Sequence, residues 1–437
     1  MKNNKTIMQQ QDLLKIQRGR VLLLLTYCYP YNPPREIFLH EELTYLSKEF
    51  DHVLIIPTSR INKNDNVYHI NNVNSKVLNL KRKRRIIELI SGFIRQCLFN
   101  GVFWKSFSKL VFIEKNKMAK IHMLLNDYAK NDFLFRSITK CLSNEIAFSS
   151  NVSFLVYSYW LNSNASLAVM ISNFIMQYHA HKTYTISRAH GLGDLYLGYR
   201  PKMSTLINGL HRIFPISNSG KKYLIESGFK EEQVFVSRLG VNAVARKTDY
   251  SKKNCYEVVS CSMLTKNKRV SLIVDALSTI KDINIKWTHF GDGEERETLI
   301  ERCKKRLSAN IEYSFMGSTK NDRIINYYIE NDPLCIINVS LVEGIPVSIM
   351  EAFSCGIPAI ATDVGATSEL VANEINGYLL SQNFSDSDLA FLIQKMCRSE
   401  RSIINSLKES AYNTWNSKYN AKKNYTDFAR LCKELVD

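Results

Sequence analysis

At 437 residues the chain exceeds one ordinary hydrophobic core, so two domains of roughly 200 residues each are expected, and its 45% apolar content supports globular folding throughout. The formal charge of +17 is unevenly spread: residues 81–140 carry 14 Lys and Arg against 4 Asp and Glu. Ten scattered cysteines form no Cys-x-x-Cys and have no His partner at metal spacing, which argues against a disulfide framework or a zinc site and fits a reducing cytosol.

In chain order, residues 1–20 are polar, and the run Val21-Leu22-Leu23-Leu24-Leu25 is too short before Pro30 for a secretory leader. It reads as a first buried strand, Val21 to Thr26. A loop at 27–35 leads to a helix from about Glu36 to Glu49, whose Phe38, Leu43 and Leu46 fall at helical intervals. Residues 53–57 read as the next strand.

The basic segment opens with Lys81-Arg82-Lys83-Arg84-Arg85 and continues with Ile86, Ile90, Phe93 and Cys97 at helical spacing, then Phe103, Trp104, Phe107 and Val111. Such a basic, aromatic-bearing amphipathic insertion, over about 76–145, suits an anionic membrane surface. Each basic residue near that surface contributes about 1 kcal/mol, enough in a cluster for reversible attachment. The alternative is a solvated helix face packed on its own domain. No motif that reads DNA or RNA accompanies the cluster, so nucleic acid is not an expected partner.

From Ile146 to Ala180 the chain is uncharged, but Asn, Ser and His179 interrupt it, so it falls short of a spanning segment. Within it, 154–157 reads as a strand and 165–176 as an apolar helix. A strand at 184–187 ends at Arg188-Ala189-His190-Gly191; His179 and His181, on the turn before it, are expected to face solvent. Residues 212–217 and 220–226 repeat strand then helix, and 234–238 reads as a closing strand. The polar stretch 244–254 reads as a linker. The second half alternates again: strands at 257–261, 285–290, 311–315, 334–339 and 357–361, helices at 270–280, 295–307 and 322–330. Two parallel, doubly wound α/β sheets facing a cleft are therefore expected. The domains are read as 20–244 and 245–415, with a helix at 416–437 packing back on the first.

Ligands of open parallel sheets bind beyond the carboxyl ends of the strands. His190, Lys268, Gly291-Asp292-Gly293 and Glu343 all stand just after predicted strands. Pro346 suits a first helical position and Gly356 a helix stop, so a short helix is expected from Pro346 to Cys355, with Glu351 inside it. Its start leaves backbone N–H groups unpaired at the positive end of the helix dipole, which makes Gly344-Ile345-Pro346-Val347 a candidate phosphate cradle.

Through these residues the second half resembles family 4 of the retaining, nucleotide-sugar-dependent glycosyltransferases, which have the GT-B fold and include enzymes of polysaccharide and O-antigen assembly. The match covers about 213–382. Its core is Glu343 in Glu-Gly-Ile-Pro and Glu351 in Met-Glu-Ala-Phe-Ser-Cys-Gly-Ile-Pro. Gly291-Asp292-Gly293, Lys268, Asn376-Gly377-Tyr378, Phe214-Pro215-Ile216-Ser217 and Gly240-Val241-Asn242 support it.

The resemblance implies that Glu351 accepts hydrogen bonds from ribose hydroxyls, Glu343 meets the donor sugar, the 344–347 backbone holds the diphosphate, and Lys268 stabilises charge on the leaving group. His190, with Asp194 following closely, is similar to a family histidine that reaches the donor sugar and leaving phosphate. Two positions depart from the pattern. Met263 stands where an Arg is usual, which shifts phosphate binding onto Lys268, Arg269 and backbone donors. The loop 29–36 lacks the usual glycine pair and leaves Arg35 as a candidate anion contact.

The expected activity is a retaining, metal-independent hexosyl transfer from a nucleotide diphosphate sugar to a lipid-linked or oligosaccharide acceptor, as in O-antigen, capsule or exopolysaccharide assembly. No cofactor is expected, and the protein would sit peripherally on the inner face of the cytoplasmic membrane. The alternatives are a GT-B-type nucleotide-sugar epimerase or phosphorylase, and a degenerate nucleotide-binding subunit without catalysis.

Overall fold

The computed structural model describes residues 14–31, 36–59, 74–78, 94, 104, 117–179, 181–191, 203–244, 246 and 255–437. Arg35, Lys81 to Arg85 and Asp194 lie outside the described residues. The strands fall into two six-stranded sheets, ordered β3-β2-β1-β4-β5-β6 and β12-β11-β10-β7-β8-β9. All pairings within both sheets are parallel.

The first sheet contains β1 (Leu14–Thr26), β2 (His52–Pro57), β3 (Ser75–Val77), β4 (Ile146–Ser158), β5 (Thr183–Ala189) and β6 (Arg212–Pro215). Its central strand is apolar on both faces because both are covered. Leu23 and Leu25 face helices α2 (Lys117–Glu145) and α3 (Ser163–His179), while Leu22 and Leu24 pack with α1 (Ile37–Glu49). Helices α4 (Met203–Gly209) and α5 (Asn218–Glu226) flank the β6 edge.

Several boundaries differ from the sequence reading. Strands β1 and β4 are each 13 residues long, because Leu14 to Ile16 continue the ladder against Ile146 to Phe148. The segment 234–238 is no strand of its own; it runs beside β6 through one bridge, Ile213 to Val234, and hydrogen bonds from Phe235 and Ser237. Helix α2 buries Leu134, Ile138 and Leu142 in the core, so this end of the expected insertion is part of the domain. His181 is buried against the Phe154 ring instead of facing solvent. Apolar burial here outweighed the polarity on which the expectation rested.

The second sheet contains β7 (Tyr256–Cys261), β8 (Ile285–Phe290), β9 (Ile311–Phe315), β10 (Cys335–Asn338), β11 (Ala359–Thr362) and β12 (Gly377–Leu380). One face carries α6 (Ser271–Thr279), α7 (Arg296–Arg306) and α11 (Asp386–Arg398); the other carries α8 (Asn321–Asn331) and α9 (Val347–Ser354), while α12 (Arg401–Thr414) joins the core of the former face through Ile404 and Leu407 and that of the latter through Ala411. A short helix, α10 (Thr367–Leu370), follows β11.

The chain crosses between the sheets twice. After β6 it passes through Gly240 and Val241; after α12 a π-helical turn, Trp415–Tyr419, returns it alongside, with Val241 donating its N–H to the Tyr419 carbonyl and accepting from the Ala421 N–H across the crossing. Helix α13 (Ala421–Val436) then lies on α1 and β4, where Phe428, Ala429, Cys432 and Val436 complete the first core.

Candidate active site

In each sheet the strand order reverses once, between β1 and β4 and between β7 and β10. Loops diverge at such a point and leave a crevice at the carboxyl ends of the strands. In the second sheet the two diverging loops carry Lys268 and Glu343. Lys268 closes a 3₁₀ turn, Lys266–Lys268, after β7, and its Nζ lies 2.5 Å from Oε1 of Glu343 beyond β10. Asn338 Nδ2 donates to the same carboxylate oxygen at 3.3 Å.

Glu343 leads into α9, which begins at Val347 with Pro346 as its N-cap. The fixed φ of proline and its missing N–H suit that position. No side chain caps the helix start and the Ile349 N–H donates to the Pro346 carbonyl, so the N–H groups of Val347 and Ser348 are the first-turn donors suited to an anion.

The other domain meets this loop directly. A Cβ added to Gly344 would stand 2.9 Å from the carbonyl oxygen of His190, and one added to Gly191 would stand 2.9 Å from Gly344 Cα. The two backbones approach this closely only because neither residue has a side chain. Gly291, at φ 133°, is the second case: a Cβ there would overlap the Ser262 carbonyl. It keeps the β8 exit tight against the β7 exit, with Gly293 following and donating its N–H to Asp292 at 2.8 Å.

His190 sits between two aromatic rings, 4.5 Å from Tyr159 and 4.6 Å from Trp160, centroid to centroid. Its Nε2 lies 2.9 Å from the Tyr159 carbonyl, which can only accept, so Nε2 carries the proton and Nδ1 the lone pair. Burial, reinforced by the nearby Arg188 guanidinium, pushes the imidazole down to about 3. It is neutral at physiological pH.

Beneath it, Arg188 is fully buried and pairs with Glu42 at 3.0 Å, while Tyr157 donates to Glu42 at 2.7 Å. The Arg188 guanidinium also donates to the Ser237 carbonyl at 2.8 Å and lies 4.3 Å from the Phe428 ring centroid. Strand β5 is thereby fixed to α1, to the 234–238 segment and to α13.

Glu351 lies one turn into α9 and is 9% exposed. Asn321 Nδ2 donates to its Oε1 at 2.6 Å. Burial raises this carboxyl to about 7, with the Asn321 bond opposing the rise. Glu351 lines a cavity of about 680 Å³ that spans both domains. Ser318, Thr319, Lys320 and Asn321 form one wall, Asn242 stands at the crossing, and Tyr29, Phe38, His40 and Glu41 of the first domain form the opposite wall. Its volume falls within the range of small-molecule sites.

One expectation is corrected. Arg269, at φ 49°, donates to the carbonyls of Val339, Ser340 and Gln382, so its guanidinium ties neighbouring loops together and is not directed at a diphosphate. At the described ends of the glycine-free loop, Glu36 accepts from the backbone N–H groups of Tyr27, Cys28 and Tyr29, and from Trp160 Nε1, each at 2.7 Å. A carboxylate of the chain occupies the donors that such a loop would offer to an anion. Met263, 67% exposed, stands at the rim beyond β7.

Sequence reasoning also missed Glu369. From α10 it accepts from the N–H groups of Asn218 and Ser219 at 2.9 and 2.8 Å, and pairs with Arg238 at 3.4 Å. A second-domain carboxylate thus caps a first-domain helix.

Residues 245–414 match the family model described as Glycosyl transferases group 1. The second domain is a glycosyl transferases group 1 domain. The O-antigen biosynthesis glycosyltransferase WbnH of Escherichia coli is 28% identical over 271 residues, covering 60% of this chain and 72% of that protein. The putative colanic acid biosynthesis glycosyltransferase WcaL of E. coli K12 is 26% identical over 42% of this chain and 47% of its own length. Among solved structures, Anabaena Alr3699/HepE in complex with UDP superposes with a TM-score of 0.64 at 14% identity, over 95% of this chain and 100% of that one. At that identity the likeness establishes the fold, which is the two-domain GT-B architecture.

Proposed function

We propose that this glycosyltransferase moves a hexose, with retention at the anomeric carbon, from a nucleotide diphosphate sugar to a lipid-linked glycan during surface polysaccharide assembly. The observation that carries the proposal is the meeting of Lys268, Glu343, the α9 start and His190 at one crevice, beside the cavity that holds Glu351. WbnH and WcaL, named for O-antigen and colanic acid synthesis, support the substrate class. HepE, solved with UDP, supports a nucleotide donor.

Each group then has a chemical task. Glu351 accepts from the ribose hydroxyls inside the cavity, and the N–H groups of Gly344, Ile345 and Val347 receive the diphosphate. Lys268 exchanges Glu343 for the phosphate and balances charge as the glycosidic bond breaks. Glu343 and His190 Nδ1 accept from donor-sugar hydroxyls. The leaving phosphate takes the acceptor's proton on the same face, which gives retention without an enzymic nucleophile, and no metal is required. Among the described residues no helix is long and apolar enough to cross a membrane. The basic segment 81–85, followed in sequence by half-exposed Ile94 and Trp104, is proposed to hold the enzyme on an anionic bilayer.

The test is incubation with radiolabelled nucleotide sugars, with and without a bacterial lipid extract, in the presence of EDTA. Transfer of label to the lipid fraction is expected, with the product linkage in the donor's anomeric configuration. Acceptor-independent epimerisation, inverted product or abolition by EDTA would each overturn part of the proposal.

A further inference from the structure

The carboxylate that meets the nucleoside is itself held by one neutral donor. Glu351 is packed among Ile349, Met350, Ala352 and Phe353, all buried, so its orientation is not set by solvent. Among the described residues the Asn321 amide, 2.6 Å from Oε1, is the one side-chain donor to it. Asn321 opens α8, the helix that follows the 318–320 wall of the cavity, and it lines that cavity together with Glu351.

We propose that Asn321 is a positioning residue for donor recognition: its amide fixes one carboxylate oxygen of Glu351, so that the other is presented, ionised, to the ribose diol. This rests on the nucleotide-sugar reading above and adds a residue on a different helix to it. The geometry explains why an amide stands here. A Lys or Arg would neutralise the carboxylate and compete with the diol, whereas a neutral donor orients it and leaves its charge for the ligand.

Cys261 of β7, Tyr328 of α8 and Cys355 of α9 lie within electrostatic range of Glu351, and burial keeps all three protonated at neutral pH. Lys320 lines the same wall as Asn321, and His40 and Glu41 of α1 line the first-domain side of the cavity. With burial opposing ionisation, the amide bond holds the carboxyl at about 7 and no higher. Removing that bond moves the loss of the ionised form to higher pH.

The experiment measures calorimetric binding of UDP and 2′-deoxy-UDP to the wild type and to Asn321→Ala, Asn321→Asp and Asn321→Gln, from pH 5.5 to 8.5. GDP and its 2′-deoxy form are run in parallel, because the base is not assigned. The wild type should prefer the ribonucleotide by about tenfold, the scale of a hydrogen bond to a charged group. Asn321→Ala should lose most of that preference and move the pH midpoint of affinity upward. Asn321→Asp should lose more, since it sets a second carboxylate against the first, and Asn321→Gln should restore part of the preference.

Melting temperatures separate this from a merely structural role, which would weaken ribo and deoxy ligands equally. A wild type without ribose preference would overturn the assignment of Glu351 itself. A wild type that discriminates, with Asn321→Ala discriminating equally at the same midpoint, would overturn the positioning role alone.

Discussion

At the scale of single residues, Glu351 links the site to stability. Its carboxyl is raised from the ordinary value of 4.5 to about 7 by burial. The folded state therefore holds the proton more tightly than the unfolded chain. The associated stability is fully present below about pH 4.5 and is lost as pH rises through 7. Glu351→Gln keeps the Asn321 contact without the charge, so it should match the wild type at pH 4.5 and melt higher at pH 8. The difference is bounded by about 3 kcal/mol, at 1.36 kcal/mol per pKa unit. Melting curves at the two pH values check this; a constant offset would contradict it.

Lys268 belongs to the same scale. Lys268→Ala should lower kcat by roughly 10²–10³, the usual loss for one preorganised electrostatic donor. Donor KM should change less, because the helix start still holds the ground-state diphosphate. Initial rates at saturating donor decide it, and an effect confined to KM would place Lys268 in binding. The sequence pattern showed Glu343, Glu351 and Lys268 because they fall at strand exits and a helix start. It did not show Asn321 or Glu36, whose tasks depend on partners 30 residues or more away in the case of Glu351 and Trp160. The guanidinium of Arg269 looked like a phosphate ligand because the carbonyls it binds, at 339, 340 and 382, are equally remote.

At the scale of elements, the apposition of Gly191 and Gly344 makes two loops act as one surface. Gly344→Ala places a methyl group 2.9 Å from the His190 carbonyl oxygen, and the loops must part to admit it. Overpacking of this kind is typically destabilising by about 1–3 kcal/mol when it occurs in a core; in a cleft the strain can be relieved by separation of the loops. Turnover should fall at least about tenfold, while the melting temperature changes little. Rates measured beside a melting curve test this, and an unimpaired enzyme would mean that the loops need not touch. Strand-and-helix alternation made both sheets readable in advance, since hydrophobic periodicity is local. His181 was misread because its burial is decided by a sheet face far away in sequence.

At the scale of the whole molecule, the first domain is discontinuous: α13 inserts Phe428 beneath Arg188 and beside Phe214, with ring centroids 5.0 Å apart. Phe428→Ala should cost about 3–5 kcal/mol, the usual loss for a buried aromatic. The unfolding transition assigned to the first domain should move more than that of the second, as hydrogen exchange resolved by segment would show. Equal loss in both domains would mean that they unfold as one unit.

The two adjacent crossings, at Gly240–Val241 and Tyr419–Ala421, also impose an order on biosynthesis. Domains commonly fold as they leave the ribosome, the amino-terminal one first. Here residues 14–244 emerge with one sheet face covered only in part, by α1, and the second domain must be translated before residues 421–436 can close it. The nascent first domain therefore carries an open apolar groove through nearly half of translation, a window in which a chaperone can bind it and a premature stop codon leaves it unfinished.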